Sequence, residues 1–186
     1  MLAGFSGATR PATPGLKYLY TVKITGGAGV NVGNGPRGLR VIYPILGGAF
    51  SGPKLNGTIS PLRFLTNTAH PNVESGTVLP IGGDWSLTDS TGTLTADVRQ
   101  TFATDDGAFI QVFETGSTQP DGTAFVRLAY ETGSAKYSWL NSIVAVGIIH
   151  PLSASELQID TWQVRVFVED SLKPRATCMR AYHHNR

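Results

Sequence analysis

No stretch of this chain keeps a helical hydrophobic period for three turns, and that constrains its fold more than any other feature of the sequence. What recurs instead is a β-rich run bounded by Gly, Pro, Asn or Asp: Leu16 to Ile24, Leu39 to Leu46, Leu55 to Ile59, Trp85 to Thr88, Thr93 to Ala103, Phe109 to Glu114, Thr123 to Tyr130, Ile143 to Ile149 and Leu157 to Val168. The first is the clearest. Leu16, Tyr18, Tyr20, Val22 and Ile24 alternate with Lys17, Thr21 and Lys23, interrupted only by Leu19, which is the period of a half-buried strand. Many short strands on tight turns, with no helices between them, predict an all-β protein: a closed or nearly closed antiparallel barrel of about 8–10 strands, or failing that a sandwich.

At 186 residues the chain is one domain in size. Residues 1–15 read as a flexible leader, 16–168 as the barrel domain, 60–80 as an irregular insertion suited to a lid, and 169–186 as a tail. The single Cys178 excludes a disulfide scaffold. Fifteen Lys and Arg stand against thirteen Asp and Glu, a net charge of +2, which is too weak a field for nucleic acid. No apolar run is long enough to span a bilayer, and the first residues lack the basic head and apolar stretch of a signal peptide. A cytoplasmic protein without a membrane or nucleic-acid partner is expected.

Asp106-Gly107 is the strongest turn signal, since both residues tolerate the positive φ of a two-residue type I′ loop. That loop would place Arg99 opposite Glu114, on one face with Asp97. The other face, with Leu94, Ala96, Val98, Phe102, Phe109 and Phe113, is more apolar. The polar face is either solvated or turned toward a ligand, and the sequence leaves both open.

Several chemistries lack their motifs. There is no Gly-x-Ser-x-Gly elbow for acyl transfer. His70, His150 and the His183-His184 pair are scattered, so no metal site is expected. Gly26-Gly27-Ala28-Gly29 has no following Lys-Ser/Thr or helix and reads as a turn, not a phosphate loop. Asn56-Gly57-Thr58 is a sequon that also suits a hairpin. The candidates that remain each have a functional and a structural reading. Asp84, after two glycines and before Trp85, is either a carboxylate at a cavity rim or a turn cap. Asp105 and Asp106 have the same two readings, with turn chemistry favoured. Arg127 and Glu131 share a face with Phe125 and would line a pocket or form an exposed ion pair. Tyr137, Trp139 and Asn141 carry polar tips that fix a ligand or satisfy the core.

A family resemblance lies in the run Ile45 to Gly57 (Ile-Leu-Gly-Gly-Ala-Phe-Ser-Gly-Pro-Lys-Leu-Asn-Gly), in Gly82-Gly83-Asp84-Trp85, in Asp97-Val98-Arg99 leading to Thr104-Asp105-Asp106-Gly107-Ala108, and in Tyr130-Glu131-Thr132-Gly133 through Asn141. Their order and spacing over roughly residues 16 to 168 resemble the family catalogued as domain of unknown function 3237. The resemblance implies a lipocalin-like barrel, commonly a homodimer or higher homo-oligomer, with fungal relatives in secondary metabolism. Three departures stand out: the insertion at 60–80, Tyr130 where the family tends to have Phe, and the extended tail.

The expectation that follows is an enzyme without cofactor that holds an apolar, aromatic or polyketide-like substrate and promotes a non-redox cyclisation, pericyclic reaction, dehydration or isomerisation. Arg99, Asp97, Tyr137 and Asn141 are the expected catalytic residues; Asp84, Trp85, Phe125, Arg127, Glu131 and Trp139 are expected to bind substrate. The alternatives are a carrier that returns its ligand unchanged and a structural oligomer with a filled barrel.

Overall fold

The computed structural model describes residues 12–55 and 74–166. Ten strands make one antiparallel sheet: β1 (Gly15–Gly26), β2 (Val30–Gly35), β3 (Gly38–Gly52), β4 (Glu74–Val78), β5 (Gly82–Thr88), β6 (Leu94–Thr104), β7 (Phe109–Thr118), β8 (Ala124–Glu131), β9 (Ala145–Pro151) and β10 (Glu156–Arg165). A 3-10 helix over Ser138–Ser142 lies in the β8–β9 connection. No described helix is long and apolar enough to cross a membrane.

The sheet closes on itself. From β1 it runs through β10, β9, β8, β7 and β6, then through one position shared by β4 and β5, to β3 and back to β1, giving an eight-stranded barrel. β5 fills the shared position beside Leu39–Ile45, and β4 fills it beside Gly48–Gly52. Among the described strands, β2 pairs only with the first part of β3. Closure needs β1 to lie very near β3. The glycines of the Ile45–Gly57 run permit it, since a Cβ on Gly48 would sit 2.2 Å from Lys23 O and one on Gly52 would sit 2.0 Å from Leu19 O.

Alternation is translated directly into inside and outside. β8 is buried at Ala124, Val126, Leu128 and Tyr130 and exposed at each residue between. In β1 the register shifts between Tyr18 and Tyr20, so Leu19 is the extra residue of a β-bulge and both Leu19 and Tyr20 are buried. One end of the barrel is packed solid. Phe50 stacks on Phe102 at 4.2 Å between ring centroids, Tyr20 meets Phe102 edge-on at 5.5 Å, and Leu19, Leu55, Ile110, Tyr137 and Leu140 are buried with them.

Three hairpins share one turn chemistry, and it corrects the expected register. At Thr104 to Ala108 the Gly107 N–H donates to Thr104 O and the Thr104 N–H to Ala108 O, with Gly107 at φ +84°. The pattern repeats at Asp89 to Thr93 with Gly92 at +84° and at Gln119 to Thr123 with Gly122 at +86°. These are three-residue loops closed by a left-handed glycine, not two-residue type I′ turns, because among the described residues none other than glycine has positive φ. The longer loop moves the pairing by one residue. Arg99 faces Phe113 and Val98 faces Glu114, so Arg99 and Glu114 lie on opposite sides of the sheet.

Two further differences concern strands. β2 lies where glycines suggested only a turn, and β4 occupies Glu74–Val78, inside the stretch read as irregular. Residues 60–73 of that stretch, the Asn56-Gly57 turn, His70, the 169–186 tail and its Cys178 lie outside the described residues, as does most of the leader.

Candidate active site in the barrel cavity

Opposite the packed end, the barrel interior opens into a cavity of about 390 Å3. Its walls are largely apolar: Ile24, Ile45, Leu94, Val98, Ile149 and Ile159 are among them, supplied by strands from all around the barrel. The loops at Gly26-Gly27, Gly122 and Ser153–Ser155 rim its mouth, with Glu156 beside them. Volume and apolarity suit a small organic molecule, and the filled barrel expected of a purely structural protein is not what is found.

Asp84 and Ser86 interrupt the apolar wall, two residues apart on β5 and therefore on one face. The Ser86 hydroxyl donates to Asp84 Oδ2, and the Asp97 N–H donates to Oδ1 at 3.0 Å. Burial raises the Asp84 pKa above its ordinary value; the bonds from Ser86 and Asp97 oppose the shift, the Asp97 carboxylate adds to it and Arg40 works against it.

Glu114 lies next to this wall. It projects inward from β7 opposite Val98, is fully buried, and accepts a hydrogen bond at Oε1 from Gln100 Nε2. Glu114 Oε2 and Gln100 Oε1 have no partner among the described groups. Burial pushes the carboxyl up to about 8, against the Gln100 bond and with a further push from the charge of Asp84. At neutral pH it is therefore mainly a neutral acid. Beyond it, the Tyr20 and Tyr130 hydroxyls bond each other at 2.9 Å, and burial raises both pKa values. The hydroxyl that distinguishes Tyr130 from a family Phe is thus engaged in the barrel interior.

Of the expected catalytic and substrate-binding residues, Asp84 alone lines the cavity. Trp85, Arg99, Phe125, Arg127 and Glu131 are exposed on the outer surface. Asp97 and Arg99 form an outer ion pair at 3.5 Å, with the Arg99 guanidinium 5.4 Å from the Phe113 ring, so the expected Asp97, Arg99 and Glu114 cluster is divided by the sheet. Phe125, Arg127 and Glu131 do share a face, but β8 buries the opposite one. Tyr137, Trp139 and Asn141 lie in the β8–β9 connection, at the end away from the cavity mouth. There the Tyr137 hydroxyl donates to Asp106, whose carboxyl is held at about 2, chiefly by Lys136 at 2.8 Å. Asn141 clasps the Thr132 backbone, accepting from its N–H and donating to its carbonyl, both at 2.9 Å. Trp139 packs against the core with Lys54 over its ring.

Ser86, Gln100 and Tyr20 are not among the site residues expected from sequence. The period of two made Ser86 findable, since it is the next inward position after Asp84. Among the described residues no group of three His, Cys, Asp or Glu is arranged to hold a metal.

Comparison with known proteins decides the family. The profile of the proteins of unknown function DUF3237 matches residues 14–164. The chain belongs to the DUF3237 family. Relatives include the hydroalkoxylation enzyme phnH of Penicillium herquei, 27% identical over 84% of this chain and 87% of that protein. A UPF0311 protein of Rhodopseudomonas palustris is 28% identical over 80% of this chain and 95% of its own. Among solved structures, a β-barrel-like protein from Acinetobacter baumannii superposes with a TM-score of 0.70 at 26% identity, covering 85% of this chain and 100% of that one. An enzyme from Penicillium herquei superposes at 0.64 and 26% identity, covering 85% and 99%. The barrel of this DUF3237 member is thus the barrel of its relatives.

Proposed function

We propose that this DUF3237 protein is an acid–base catalyst of secondary metabolism that closes an oxygen ring on a small apolar molecule, adding a hydroxyl O–H across a C=C bond. The observation that carries this reading is Asp84, a largely buried carboxylate with a raised pKa on the wall of a mainly apolar cavity. The hydroalkoxylation relative supports the reaction class. Asp84 takes the proton of the substrate hydroxyl as its oxygen attacks the alkene carbon, and the C=C electrons move to the neighbouring carbon or a conjugated carbonyl. Protonated Asp84 then returns the proton to that carbon. One O–H bond and the C=C π bond are replaced by a C–O and a C–H bond, so nothing is oxidised. Ser86 holds the carboxylate in place, and the apolar wall fixes the reacting ends near one another. Glu114, neutral behind the wall, spares the site a second negative charge while charge develops on the substrate.

Incubation with a panel of hydroxyaryl enones, 2′-hydroxychalcone among them, tests this. Ring closure above the spontaneous rate, giving an excess of one enantiomer by chiral chromatography, is expected. Racemic product at the background rate would overturn the reading. The largely apolar wall also favours a second reading, a carrier, whose signature is tight binding with the ligand recovered unchanged.

A further inference from the structure

Every charged side chain lining the cavity is acidic. Asp84 lies on the wall and Glu156 at the rim, and among the described residues no Lys, Arg or His lines it. Glu114 adds a third carboxyl next to the wall. The nearby cation that acts on Asp84 is Arg40, and it bonds the Trp85 carbonyl from a position that does not line the cavity. Asp97 contributes its N–H to Asp84, but its carboxylate is on the outer surface. A bound anion would therefore meet like charge in a mainly apolar space and find no counterion among the described lining residues, whereas a donor would meet the acceptor oxygens of Asp84.

We infer that the cavity takes apolar ligands whose polar group is a hydrogen-bond donor without negative charge, a hydroxyl or an ammonium, and that it rejects carboxylates and phosphate esters of the same skeleton. This rests on the cavity being the ligand site proposed above and deepens it to a ligand class. Several wall features agree. Ser86 and Thr118 add hydroxyls without adding charge, and Ser153 and Ser155 do so at the rim. The Ser86 hydroxyl is already committed to Asp84, which leaves the carboxylate oxygens to accept from the ligand.

Displacement of the neutral dye Nile red from the full-length protein at pH 7 tests the inference with three probes of one shape: 1-naphthol, 1-naphthylmethylamine and 1-naphthoate. The alcohol or the amine should displace the dye at concentrations at least tenfold below the carboxylate, and the ratio of the first two tells which donor is preferred. Asp84→Asn should shrink the gap severalfold. Equal or better competition by naphthoate overturns the inference, as does failure of all three probes to compete, or a gap unchanged in Asp84→Asn with the fold intact by circular dichroism. The wild-type comparison stands even where the variant does not fold. Discrimination without any ring closure of hydroxyaryl enones would leave the ligand class in place and remove the proposed reaction.

Discussion

A carboxyl with no exposure, such as Glu114, is costly to ionise, and its single bond from Gln100 does not offset the lost hydration. Its pKa in the folded protein is about 8 against an ordinary 4.5, so the folded state holds this proton more tightly than the unfolded chain does. The stability it contributes is therefore fully present below about pH 4.5 and is lost as pH rises toward about 8. The slope from this group alone is of order 1.4 kcal/mol per pH unit. Urea unfolding should show Glu114→Gln to be more stable than wild type at pH 8, with the advantage disappearing near pH 5. A parallel pH dependence in the two proteins would mean that Glu114 ionises normally. The same residue sets an expectation for rate: ionisation near pH 8 puts a second charge beside Asp84, so ring closure should fall above about pH 8 in wild type and not in Glu114→Gln.

At the level of elements, the hairpin loops determine which side chains meet. The sequence identified Gly107 as a turn residue but not the loop length, because Asp106-Gly107 is compatible with both a two-residue and a three-residue loop; a difference of one residue exchanges inside for outside. That single ambiguity moved Arg99 and Glu114 to opposite faces. Strand existence was easier to read, since alternation in β1 and β8 reports burial directly, and even Leu19, which breaks the pattern, marks a real bulge. β4 was hidden because Glu74 to Val78 carries only one large apolar residue, and its pairing with β3 and β6 is made by backbone. Gly107→Ala should cost about 1–2 kcal/mol, the penalty of a left-handed residue with a Cβ. Arg99→Ala, which removes an exposed ion pair, should cost less than about 1 kcal/mol. Thermal unfolding that ranks the two in the reverse order would contradict the assigned register.

Across the whole molecule, the barrel has a packed aromatic end and an open apolar end, and the two do different work. Phe102, stacked on Phe50 and touched by Tyr20, belongs to the packed end, so Phe102→Ala should cost about 3–5 kcal/mol in denaturant unfolding. The cavity end was legible in sequence as far as the barrel class; the Gly82-Gly83-Asp84-Trp85 motif left Asp84 as either a cavity-rim carboxylate or a turn cap, and closure of the sheet puts it on the cavity wall. Which other polar residues face inward depends on closure of the sheet and on register, and neither is written in any local window. The measurement that tests the account most directly is the rate of enantioselective ring closure of a hydroxyaryl enone by wild type, Asp84→Asn and the outer-face double variant Arg99→Ala/Arg127→Ala, each confirmed folded. Asp84→Asn should lose roughly 10²–10⁴-fold, the worth of a positioned acid–base group, while the outer-face variant keeps the wild-type rate. Full activity in Asp84→Asn, or its loss in the outer-face variant, would contradict a site inside the barrel.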